Sequence, residues 1–103
     1  MELNKYQREA RSFAFYPKDI SGIDYCILGM CGEAGEVANK RKKELRDDKH
    51  LTDDIIDELG DVLWYLANTC KELGIDLDLV AKRNLDKLTK RHGKETLWTQ
   101  EEK

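Results

Sequence analysis

The sequence predicts an all-α protein, a core of four helices with no sheet. Three observations carry this. Apolar residues recur three and four apart through most of the chain, and no segment alternates with the period of two that a half-buried strand requires. One proline and seven glycines in 103 residues leave room for long uninterrupted helices. Hydrophobic residues make up 40% and charged residues 38%, a balance that suits narrow buried stripes and wide solvated faces.

The first helix is expected to start at Asn4, because Asn4 and Gln7 have the spacing of a capping box. Tyr6, Ala10, Phe13 and Ala14 follow at helical intervals, and Pro17 closes the element. A second helix runs from Ser21–Asp24 to about Arg46, with Ile23, Ile27, Met30, Ala34, Val37 and Leu45 as its stripe. The polar run from Asp47 to His50 reads as a turn. Thr52 or Asp53 can cap the third helix, whose apolar side is Ile55, Leu59, Val62, Leu63, Leu66, Cys70 and Leu73. Gly74 is placed for a left-handed C-terminal cap. Asp76 can cap a fourth helix through Leu77, Val80, Ala81, Leu85 and Leu88 to about His92, where Gly93 ends it. Residues 1–103 read as one domain, with 94–103 a loose tail from which Leu97 and Trp98 can dock.

Composition narrows the function. A net charge of −3 argues against binding nucleic acid through phosphate contacts. It does not exclude a phosphate ligand, since a bound divalent cation reverses the local sign. Cys26, Cys31 and Cys70 form no CxxC pair and read as reduced thiols, and neither His50 nor His92 stands at zinc-ligand spacing to them. No apolar signal core opens the sequence, and no run approaches the roughly 20 apolar residues of a membrane span. A cytoplasmic location without membrane association is the expectation.

Two tetrads carry the chemistry, Glu33-Ala34-Gly35-Glu36 and Glu58-Leu59-Gly60-Asp61. Residues three apart share a helix face, so each helix presents two carboxylates together at the border of its apolar stripe. A single such pair is commonplace on a solvated helix. Two on consecutive helices, each with an interior glycine, point to a metal site. Four unpaired carboxylates would repel and raise one another's pKa, and a hard cation with oxygen preference, Mg²⁺, removes that repulsion and keeps waters for phosphate to replace. Mn²⁺ is expected to substitute. Gly35 and Gly60 each cost about 0.8–1 kcal/mol relative to alanine in a helix, which close helix approach or ligand access would explain. The Glu-x-x-His pattern of di-iron bundles is absent.

Cations lie nearby in sequence. Lys40 is one turn beyond Glu36, placed either to pair with it or to meet phosphate. Asn84, Lys87 and Arg91 share one face of the fourth helix, as phosphate donors or as a solvated surface. Tyr65 lies on the acid face of the third helix, either to stack on a base or to pack. Trp64 points away from the apolar stripe and suggests a subunit interface.

These residues resemble the MazG-like family of all-α nucleoside triphosphate pyrophosphohydrolases. The likeness runs from Leu3-Asn4-Lys5-Tyr6-Gln7 through Gly32-Glu33-Ala34-Gly35-Glu36-Val37-Ala38 with Lys40, and Glu58 to Leu66. It ends in Asn84-Leu85-Asp86-Lys87-Leu88-Thr89-Lys90-Arg91. It implies Mg²⁺ on the catalytic carboxylates Glu33, Glu36, Glu58 and Asp61, cleavage of (d)NTPs between the α and β phosphates, and dimers or tetramers with sites near subunit interfaces. A nucleotide-binding sensor of the same fold and a structural helical dimerisation protein are the competing readings. The preferred base, and the glutamate that serves as general base, stay open.

Overall fold

A computed structural model describes residues 1–93. They form α1 (Leu3–Arg11), α2 (Gly22–Asp47), α3 (Thr52–Glu72) and α4 (Leu77–His92), with no strand among the described residues. The long pair α2 and α3 makes the largest helix contact, and α1 packs on α3 and α4. Gly22 lies against Glu72, Gly29 against Tyr65, and Glu33 against Glu58 and Asp61. The two helices therefore run antiparallel, in a register that sets the two acidic tetrads opposite each other.

The centre of the fold is small. Ala10, Ala67, Cys70 and Leu77 are buried, with Tyr6, Trp64, Leu66 and Ile75 packed around them. Gln7 is buried among these side chains and fully bonded. Its amide nitrogen donates to the carbonyls of Ala67 at 3.4 Å and Ile75 at 3.0 Å, and its oxygen accepts the Leu77 N–H at 2.9 Å. The Asn4 side-chain oxygen accepts the Asp78 N–H at 3.1 Å. The expected capping box on α1 is thus not formed. Helix α1 begins at Leu3 after Glu2 without a side-chain cap, and Asn4 and Gln7 cap α4 instead. Asp76 occupies the N-cap position of α4, but its side chain makes no capping bond. Of the amides it could serve, that of Asp78 goes to the Asn4 side chain and that of Leu79 to the Asp76 carbonyl.

Other termini follow local chemistry. The Ser21 hydroxyl accepts the Asp24 N–H at the start of α2. Asp48, in left-handed conformation at φ 49°, ends that helix. Neither Thr52 nor Asp53 caps α3. Leu51 holds the N-cap position, and its N–H donates to the Glu44 carboxylate at 2.7 Å, so the end of α2 anchors the loop. Gly74 and Gly93 adopt the expected positive φ, 73° and 63°. Helix α1 stops at Arg11, short of Phe13 and Ala14.

Trp64 corrects an expectation. It is half-buried against the core, edge-on to Tyr65 and Tyr16, rather than turned to solvent. Leu59 and Leu63, placed on the buried stripe by periodicity, are 51% and 37% exposed, and Ile56 beside them is 57% exposed. Helix α3 is apolar on two sides, and α1 covers the side of Trp64, Ala67 and Cys70. On α2, Ile23, Met30 and Val37 are half-buried as expected, while Ile27, Ala34 and Leu45 are exposed. No helix among the described residues is long and apolar enough to cross a membrane. The expectation for a loose tail over 94–103, with Leu97 and Trp98 docking, lies outside the described residues.

Candidate metal centre

The seam between α2 and α3 brings three of the four predicted acids together. Glu33, Glu58 and Asp61 each offer a carboxylate oxygen, and these oxygens lie within 4.8 Å of one another. Glu33 and Glu58 are half-buried and Asp61 is exposed. Glu36, also exposed, is outside this trio, although its charge still acts on Glu33.

Electrostatics at Glu33 report on the cluster. Its carboxyl is pushed above the ordinary value of 4.5, first by a proton shared with Glu58, then by burial and by the charges of Asp61, Glu58 and Glu36. Every contribution raises it and no cation offsets them. Arginines elsewhere neutralise other acids: Arg11 with Glu72, Arg41 with Glu44 and Arg46 with Asp47. Among the described residues, the trio is a concentration of negative charge with no ion-pair partner. Such an all-oxygen donor set fits a hard divalent cation and suits neither a soft metal nor a zinc-thiolate site.

Two tyrosines flank it. Tyr65 has its hydroxyl held above the ordinary phenol value by burial first, then by Tyr25 and the nearby Glu33 charge. Tyr6 is raised by burial and then by Asp61. The spacing along α3 exposed Tyr65 as a neighbour of the acids. It gave no such signal for Tyr6, because Tyr6 arrives from a separate helix. Beyond Tyr65 an aromatic group continues through Trp64 at 5.0 Å, Tyr25 at 6.1 Å and Tyr16, which stands 5.2 Å from Tyr25.

The predicted cations do not converge on the trio. Lys40 is half-buried on α2, and no ion pair joins it to Glu36. Asn84, Lys87 and Arg91 are exposed on α4. Asn84 and Lys87 line a shallow groove of about 540 Å³ with Leu79, Val80 and Arg83, and none of the four acids borders it. Close approach within the chain is also not the reason for Gly35 and Gly60, since a Cβ at either would meet open space. Close approach is instead a demand at Gly29, where a Cβ would run into the Tyr65 ring, and at Gly22, where it would meet the Glu72 carboxylate.

Comparison with known proteins gives the family. The family model described as the MazG nucleotide pyrophosphohydrolase domain matches residues 23–96, a span that includes both acidic tetrads and α4. The chain is also 45% identical over 101 residues to the Gene 37 protein of Mycobacterium phage L5, covering 88% of this chain and 89% of that protein. No solved structure matches it. With the family model spanning well over half of the sequence and a close relative spanning most of it, this chain belongs to the MazG nucleotide pyrophosphohydrolase domain family.

Proposed function

We propose that this protein is a Mg²⁺-dependent pyrophosphohydrolase that cleaves (d)NTPs between the α and β phosphates, giving nucleoside monophosphate and pyrophosphate. The observation that carries the reading is the convergence of Glu33, Glu58 and Asp61 without a compensating cation, in a chain of this family. Those three residues would hold the metal, with Glu36 completing the set from the next turn. Mg²⁺ would supply charge neutralisation on the phosphate oxygens as the anhydride bond breaks. A carboxylate of the set would accept the proton of the attacking water. Mn²⁺ would serve in place of Mg²⁺, because it shares the preference for hard oxygen donors.

Lys40, Asn84, Lys87 and Arg91 are the proposed donors to phosphate and sugar oxygens, with the planar Arg91 guanidinium able to bind two at once. The α4 groove borders none of the acids of its own chain. Self-association as a dimer or tetramer would let α4 of one copy serve the acids of another, and the exposed Ile56, Leu59 and Leu63 support such an assembly. The biological role that follows is removal of unwanted nucleotides from the cytoplasmic pool, with no nucleic-acid or membrane partner.

The test is product analysis across a panel of normal and modified (d)NTPs, with and without Mg²⁺. Equal amounts of monophosphate and pyrophosphate, only with metal, are expected. Nucleotide binding without turnover would make the protein a sensor, and release of orthophosphate would place the cleavage at the wrong bond.

A further inference from the structure

Glycine 29 sits one helical turn before Glu33 on α2, and Tyr65 one turn beyond Asp61 on α3. The two meet across the seam in the layer directly beside the carboxylate trio. A Cβ built on Gly29 would collide with three carbons of the Tyr65 ring. That ring has little room to retreat, since Trp64 stands edge-on to it at 5.0 Å and Tyr25 tilts against it at 6.1 Å. Carbon atoms in contact settle at about 3.5–4.0 Å, so any side chain at position 29 would move the ring or part the helices by roughly an ångström. Gly35 and Gly60, although inside the acidic tetrads, impose no such constraint.

We propose that Gly29 and Tyr65 form a positioning lock, in which the glycine admits the ring to the α2–α3 seam and the seated ring fixes the separation at which Glu33 meets Glu58 and Asp61. Tyr65 thereby acts through the carboxylates, rather than as a platform for the nucleotide base. The lock rests on the reading of the trio as a divalent-cation site. Its sensitivity follows from metal coordination, where ligands must be held within about half an ångström of their working geometry. Changes to groups that orient metal ligands typically cost 10–100-fold in affinity.

The experiment is a Mn²⁺ titration, followed by the loss of the free-ion electron paramagnetic resonance signal, on wild type, Gly29→Ala, Tyr65→Leu and the double variant. Alanine is the better helix former, so a loss at position 29 reports the collision and not helix propensity. Gly29→Ala should weaken Mn²⁺ binding by about tenfold or more. Tyr65→Leu should weaken it too, and adding Gly29→Ala to Tyr65→Leu should bring no further loss, because the ring that it strikes is gone. Wild-type affinity in folded Gly29→Ala, or losses that multiply in the double variant, would overturn the lock. Should Gly29→Ala fail to fold, the double variant must fold wherever Tyr65→Leu does, and its failure to do so would also overturn it. A wild-type chain that binds no Mn²⁺ would overturn the metal reading along with the lock. Binding by wild type with unchanged binding by Gly29→Ala would overturn the lock alone.

Discussion

Glu33 and Glu72 are both glutamates at the α2–α3 seam, yet their surroundings drive them in opposite directions. Glu72 accepts a hydrogen bond from Tyr16 at 2.7 Å and pairs with Arg11 at 2.6 Å, which hold its carboxyl below the ordinary value. It therefore adds stability above the unfolded value of 4.5 that is lost as pH falls through its lowered folded value. Tyr16→Phe removes that bond to a charged group and should cost about 1.5 kcal/mol at pH 7, with much less loss at low pH, read by denaturant melts at both. Glu33 is raised, so its contribution has the other sign. It favours the fold below 4.5, where it is protonated in both states, and that contribution is lost as pH rises through its raised folded value. At pH 7 without metal, Glu33→Gln should raise the melting temperature, and it should abolish the further rise expected when Mg²⁺ is added to wild type. A variant that melted like wild type at pH 7, and still responded to Mg²⁺, would show that Glu33 is an ordinary surface acid.

At the scale of elements, the join between α1 and α4 depends on one buried amide. Gln7→Ala would leave the Ala67 and Ile75 carbonyls and the Leu77 N–H without their partner. Stability should fall by about 3 kcal/mol, which for a chain of this size lowers Tm by roughly 10–20 °C. A loss below 1 kcal/mol would mean that water replaces the amide. This join also marks the limit of what local patterns revealed. The four helices and the pairing of two acids on one face of α2 and of α3 were legible, since period and spacing belong to single helices. Which acids meet across the seam was not, and Glu36 stays outside the trio. Asn4 and Gln7 misled because their spacing does fit a capping box, while the amides they serve lie seventy or more residues away. Trp64 misled for a related reason. Periodicity reports that α3 has apolar residues on two sides, but not which side a neighbouring helix covers. The demand for glycine at position 29 was equally invisible, since it arises from a ring on another helix.

The described residues leave more apolar surface uncovered than their buried core would suggest. Ile56, Leu59 and Leu63 share a face of α3 and are all exposed, as are Ile27 and Leu28 on α2. A core this small, with so much exposed aliphatic surface, is expected to be completed by a second copy. Sedimentation at micromolar concentration should therefore show a dimer or larger. Leu59→Asp should shift it toward monomer, and a wild-type chain that sediments as a monomer would contradict this reading. Assembly would also bring the exposed Asn84, Lys87 and Arg91 within reach of carboxylates that they do not meet in their own chain.

The central claim is that the carboxylate trio holds the divalent cation on which nucleotide cleavage depends, and Glu58→Gln tests it most directly. The substitution keeps the shape of the side chain and removes one charge from the centre of the trio. The measurement is pyrophosphate release from a (d)NTP accepted by wild type, followed as Mg²⁺ is raised from zero to saturation. The account predicts a folded variant whose turnover is lower by orders of magnitude at every Mg²⁺ concentration. Lys87→Ala, by contrast, should raise KM and keep the wild-type Mg²⁺ response. Near-normal pyrophosphate release by Glu58→Gln, with the wild-type dependence on Mg²⁺, would contradict the account.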